Sequence, residues 1–178
     1  MSKVLKILIV SNAFLPELSP RSFRATELSK EFCRLGHHVT VLTKNRDFDY
    51  SKFLNEYPIK IEMWSKSRML RVPEFKRKPF SYVSRALYRF FSVLFEYPNI
   101  EEMFIVKKNL RKKKGFHLII SFAVPYPIHW GVALATTKKH RIANTWIADC
   151  GDPFMGNVLD TFKKPFYFKY VEKWFSRK

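Results

Sequence analysis

Residues 4–43 constrain the fold more than any other stretch. VLKILIVS is a short run rich in Ile, Leu and Val that ends on a polar turn. Such a run suits a parallel strand buried on both faces. Ser19 can then cap a helix whose first position is Pro20, where a missing N–H does no harm. The helix should reach Arg34 or Leu35 and turn Phe23, Leu28, Phe32 and Leu35 inward, with Gly36 ending it in a left-handed conformation. HVTVLT supplies the next strand. A strand, helix and strand in so few residues form a βαβ unit, and its crossover should be right-handed.

The remainder repeats this alternation. Residues 59–64 suit a third strand, 117–121 a fourth and 144–149 a fifth. Helices are expected at 80–97, 101–114 and 127–139, and in the aromatic, basic tail from Thr161. The pattern gives an α/β fold: a Rossmann-like, doubly wound parallel sheet in three α/β/α layers, with strand order 3-2-1-4-5. Residues 1–155 read as that domain. Residues 156–178 read as a C-terminal helix, or as a connection toward a further domain.

Charge narrows the partners. The 178 residues hold 33 Lys+Arg against 15 Asp+Glu, a net +18, which favours an anionic partner: membrane phospholipid, phosphorylated small molecules or nucleic acid. The helix expected at 80–97 carries an apolar stripe of Phe80, Val83, Leu87, Phe90, Phe91 and Leu94, with Arg85 and Arg89 off it and Lys76, Arg77 and Lys78 before it. That stripe fits a core face, the commoner case, or a helix lying in an anionic membrane surface. Two cysteines, neither in a CxxC pair, argue against a disulfide framework or zinc site and for a reducing cytosol.

In doubly wound sheets, ligands bind beyond the carboxyl ends of the strands. Three strand exits should therefore share a rim: NAFLPELSP, FAVPYP and DCGDPF. The first turn lacks GxGxxG, which disfavours a dinucleotide, and no P-loop, GxSxG elbow or HExxH motif occurs. No metal site or cofactor is expected. Asp149, Asp152 and His129 are the candidates for catalytic work, with no role assigned among them. Loop chemistry is the alternative for the aspartates, and simple packing for His129. Arg24 could reach a phosphate through its planar fork or pair with Glu27 one turn on, and Arg21 is a second choice.

KILIVSNAFLPELSPRSFRATELSKEFCRLGHHVTVLT resembles the opening of family 4 glycosyltransferases of the GT-B fold: a strand, a Pro-containing loop, then R-x-x-E-L-x-x-x-L-x-x-x-G-H-x-V-x-V. The matching positions are Arg24, Glu27, Leu28, Phe32 (for a leucine), Gly36, His37, Val39 and Val41. HLIISFAVPYPIHWGVALA and WIADCGDPF are similar to the S-x-P-P-x-x-x-H and W-x-x-D-x-R-D-P-W stretches of bacterial polysaccharide-assembly members. The sequence departs from the family at Glu17-Leu18-Ser19, where a glycine pair is usual, and at Gly151, where an arginine is usual.

The resemblance implies the N-terminal, acceptor-side half of a cytoplasmic, peripheral-membrane transferase. It would move a sugar from a nucleotide-sugar donor to a polyprenyl-linked or polysaccharide acceptor in cell-surface glycan synthesis, with retention of configuration and no metal. It also implies a donor-binding domain as partner, without which this chain is expected to be inactive. Asn12, Phe14, Arg21, Arg24 and Pro125 become the expected substrate-binding residues. The competing expectation is a non-catalytic basic α/β module for nucleic acid or an anionic membrane. Nucleic acid is the weaker partner, because the basic clusters lie in the middle and tail of the chain, away from the strand-end rim.

Overall fold

The computed structural model describes residues 3–44, 47–64, 80–123, 125–151, 154–156 and 164–177, with the side chains of Phe80 and Ser81 excepted. Asp152, Lys76, Arg77, Lys78 and the start of the tail at Thr161 lie outside the described residues.

Five parallel strands make one sheet: β1 (Lys6–Ser11), β2 (His38–Lys44), β3 (Lys60–Trp64), β4 (Phe116–Phe122) and β5 (Ala143–Asp149), in the expected order β3-β2-β1-β4-β5. The helices are α1 (Pro20–Arg34), α2 (Ser51–Glu56), α3 (Phe80–Phe95), α4 (Ile100–Leu110), α5 (Pro127–Ala135) and α6 (Tyr167–Phe175). The short α2 has no counterpart in the sequence reading. The crossover positions follow from the apolar runs. Ile7, Leu8, Ile9 and Val10 in central β1 are all fully buried, because helices cover both faces there.

Alternate residues of β1 feed two cores. Ile7 and Ile9 join Phe14, Ala25, Val41 and Phe53 on the side of α1 and α2. Leu8 and Val10 join Val106, Leu110, Ile128 and Val132 on the side of α4 and α5. A third, aromatic cluster lies outside α5, where Trp130 and Phe154 meet Phe168 of α6.

Helix α1 begins as expected. Ser19 accepts the Ser22 N–H at 3.2 Å and Gly36 takes φ +82° just past the end. Its inward face differs from the expected one. Phe23 and Leu35 are 53% and 58% exposed, and Ser22, Ala25, Thr26 and Ser29 lie buried on the sheet. Those four small residues stand at i, i+3, i+4 and i+7, the true helical stripe, whereas Phe23 and Leu28 are five apart. Small side chains let the helix approach the strands closely. The hydroxyls are satisfied locally: Ser29 Oγ donates to the Ala25 carbonyl at 2.6 Å, and Thr26 Oγ1 accepts the Leu15 N–H at 3.3 Å. Leu28 and Phe32 fill the margin.

A second correction concerns α3. Val83, Leu87 and Phe90 are 51%, 40% and 54% exposed, so these three are not core, while Phe91 and Leu94 are half-buried. Among the described residues, none of α3 joins the buried clusters on the two faces of the sheet.

Candidate functional site

The carboxyl ends of β1, β4 and β5 lie side by side. Val10 is in register with Ser121, Ser121 with Ala148, and Phe122 with Asp149. The chain leaves β1 toward α1, β4 toward α5, and β5 through Cys150 and Gly151. The loops that carry the three polar stretches of the sequence therefore share one edge of the sheet.

Two side chains meet there from opposite ends of the chain. Arg24, one turn into α1, places Nη1 3.2 Å from Asp149 Oδ1, and the pair keeps partial solvent access, at 46% and 24%. Arg24 does not bond to Glu27, which pairs instead with Lys30 at 2.7 Å. The approach depends on Gly151. A Cβ there would stand 2.7 Å from Arg24 Nη2, so the guanidinium occupies the space a side chain at 151 would fill.

Beneath the pair runs a buried polar chain. The Trp146 indole donates to Ser121 Oγ at 2.8 Å, and Ser121 Oγ lies 2.8 Å from His129 Nδ1. An indole can only donate, so Ser121 Oγ accepts from Trp146 and makes its second contact with the imidazole. The ring also hydrogen-bonds the Asp149 backbone, and its Nε2 lies 3.7 Å from Cys150 Sγ. The Asp149 carbonyl also accepts the Ala123 N–H at 3.0 Å, which ties the exits of β4 and β5 together.

Burial pushes the His129 pKa down to about 4, with the Asp149 carbonyl opposing the shift weakly. His129 is thus neutral, buried and engaged on both nitrogens, which suits it to holding the rim in shape. The Cys150 thiol is pushed up by burial, with Tyr126 as a weaker opposing hydrogen-bond partner. A thiol held protonated beside a neutral imidazole is a poor nucleophile.

The other expected site residues divide by burial. Phe14 is fully buried and packs on Tyr50 and Phe53, with ring centroids 6.4 and 5.9 Å away, so its ring belongs to the core under the first loop. Pro125 is buried as well. Asn12 and Arg21 are half-buried at the first exit and the first turn of α1. Asp149 and Arg24 are brought together; Asp152 lies outside the described residues.

Sequence reasoning met Ser121 and Trp146 only as positions in the matching stretches and Gly151 only as a departure from them, and gave none of the three a role. Ser121 carried a signal, since a hydroxyl at the end of an apolar strand needs a partner when buried. Trp146 opens the W-x-x-D match, but its indole could as well have faced solvent from an edge strand.

Among the described residues, no three His, Cys, Asp or Glu side chains converge as a metal site. No protein-family model, curated protein or solved structure matches this chain.

Proposed function

We propose that this chain is the acceptor-side domain of a glycosyltransferase that moves a sugar from a nucleotide-sugar donor to a polyprenyl-linked or polysaccharide acceptor at the inner face of a membrane. The observation that carries the reading is the Arg24–Asp149 pair. The two stretches that resemble family 4 glycosyltransferases are far apart in sequence, and this pair joins one residue from each at the strand-end rim where such folds bind ligands.

The chemistry is consistent with an acceptor that carries both hydroxyls and phosphate. Asp149 offers a carboxylate to sugar hydroxyls, and Arg24 offers a planar cation to a phosphate. Neither is locked away, since both retain solvent access. His129 supports the rim from below by fixing the Asp149 backbone, and Asp152 stays a candidate on the same loop. A donor domain closing over this edge would exclude water and complete the site.

The test is acceptor binding to the chain itself. A short-chain, detergent-soluble polyprenyl diphosphate sugar is titrated into the protein by calorimetry. The expected result is binding that Asp149→Ala weakens by roughly tenfold or more, the cost of an unmade hydrogen bond to a charged partner. Absence of binding, or binding indifferent to Asp149→Ala and Arg24→Ala, would overturn the acceptor-site reading.

A further inference from the structure

We propose that the turns leading into β4 and β5 bind the phosphate backbone of a nucleic-acid duplex without reading its bases. This goes beyond the transferase reading and does not depend on it.

The two turns are built as neighbours. Helix α4 ends at Leu110, and residues 111–115 return the chain to β4, with Gly115 at φ +80°. Helix α5 ends at Ala135, and residues 136–142 lead into β5. Phe116 is in register with Ala143, and its N–H donates to the Ile142 carbonyl at 3.0 Å, which sets the turns side by side. Thr137 and His140 exchange backbone hydrogen bonds at 3.1 Å, so Lys138 and Lys139 form the tip of a closed turn. The start of β1 adjoins them, since the Lys6 N–H donates to His117 Nδ1 at 2.9 Å.

The charge at this end of the sheet is of one sign. Arg111, Lys112, Lys114, Lys138, Lys139 and Arg141 are all exposed, and among the described residues no ion pair or hydrogen bond engages their side chains. Lys113 alone turns inward, to Glu62. No Asp or Glu occurs anywhere between Met103 and Ala148. The carbonyl ends of α4 and α5 favour a nearby cation. Unpaired cations in this number exceed that need and repel one another until an anion joins them.

The rest of the surface decides the occupant. Among the described residues, no large apolar side chain is exposed between Ile105 and Trp146. Protein interfaces are poor in Lys and centre on apolar or aromatic residues, which are lacking here. A bilayer anchor combines charge with inserted apolar groups, and single strands stack their bases on aromatic rings. A duplex asks for neither: its outer surface is a dense row of phosphates, met by Lys and Arg heads alone. The sequence disfavours nucleic acid at the strand-end rim, and this face is elsewhere. Strand β5 begins beside the turns and ends at Asp149, about 20 Å away at the usual rise per residue.

The experiment is fluorescence anisotropy of the full chain with short labelled duplexes of two unrelated sequences, and with a single strand of the same length, over a range of salt. The expected result is equal binding to both duplexes, weaker binding to the single strand, and affinity that falls steeply with salt. Lys138→Glu/Lys139→Glu and Arg111→Glu/Lys112→Glu should each weaken duplex binding about tenfold or more and lower the salt slope by roughly one per cation removed. Lys169→Glu/Lys173→Glu on α6 changes net charge by the same amount and should leave the slope unaltered. All these side chains are exposed, and circular dichroism checks each fold.

Absence of duplex binding overturns the proposal, as does tighter binding to the single strand. An equal loss in the α6 variant assigns the effect to net charge and overturns it too. So does capture by phosphatidylglycerol vesicles through these turns without duplex binding, which gives the face to a bilayer. Duplex binding and acceptor binding are read at opposite ends of β5, so either can fail alone.

Discussion

The strand-end rim and the outer aromatic layer use their bulky residues in opposite ways. At the rim, Phe14, Pro125 and Tyr126 are buried, and a charged pair, Arg24 with Asp149, reaches water. In the outer layer, Glu172 is half-buried, and Phe90, Tyr170 and Trp174 are exposed. The rim is built like an ordinary binding edge on a rigid sheet. The outer layer is built like a protein surface inverted, and large apolar exposure of that kind marks an interface. The residue type alone therefore decides little; its place in the layers decides its work.

The sharpest way to break that contrast uses two tryptophans. Trp130 lies 5.3 Å from Phe175 in a stacked arrangement and 5.2 Å from Phe154 edge-on. Trp130→Ala should cost about 3–5 kcal/mol, the usual range for emptying a buried aromatic site. Trp174→Ala should cost under about 1 kcal/mol. Denaturant unfolding of both variants checks the pair. Equal losses would mean that α6 is held by both its faces, and the layer would not be presented outward.

Acid lability separates the regions next. The His129 imidazole in the unfolded chain takes up a proton below about pH 6.5. The folded one does so only below about 4, because burial disfavours the cation. Stability from this residue is thus complete above pH 6.5 and is lost as pH falls through the window down to 4. The loss amounts to about 3 kcal/mol. His129→Gln should flatten that limb of a stability-versus-pH curve while lowering the plateau. An unchanged limb would place the acid-sensitive group elsewhere.

Much of the fold was legible because burial on both faces writes itself into short apolar runs. Five strands, their order and the Ser19, Pro20 and Gly36 boundaries of α1 all follow from local chemistry. The errors arose where two stripes competed. In α1 the small residues at 22, 25, 26 and 29 won the sheet because close approach fills space better than bulky side chains set at irregular intervals. In α3 the stripe was real, but periodicity reports amphipathicity and not what covers the apolar side. At the site, Asp149 and Arg24 could be named separately as rim residues. Their pairing could not, since it depends on the space left by Gly151, a tertiary fact. His129 was legible as a buried histidine or as a ligand group, and only the positions of Ser121 and the Asp149 carbonyl decide that both nitrogens are taken.

Gly151 gives the smallest stability effect and the finest probe of the rim. A methyl group at 151 would meet Arg24 Nη2 at 2.7 Å, but that atom is the far end of a flexible, half-exposed side chain. Gly151→Ala should therefore push the guanidinium aside without disturbing the sheet. The lost ion pair is solvent-screened, so the fold should weaken by no more than about 1 kcal/mol. Acceptor affinity should respond more than stability, because the variant moves Arg24 away from Asp149 while leaving both charges in place. Arg24→Ala in the Gly151→Ala background should then add little to the affinity change, a non-additive cycle between neighbours. Full additivity would mean that Arg24 and Gly151 act independently, and the rim would lose the steric link that makes it one site.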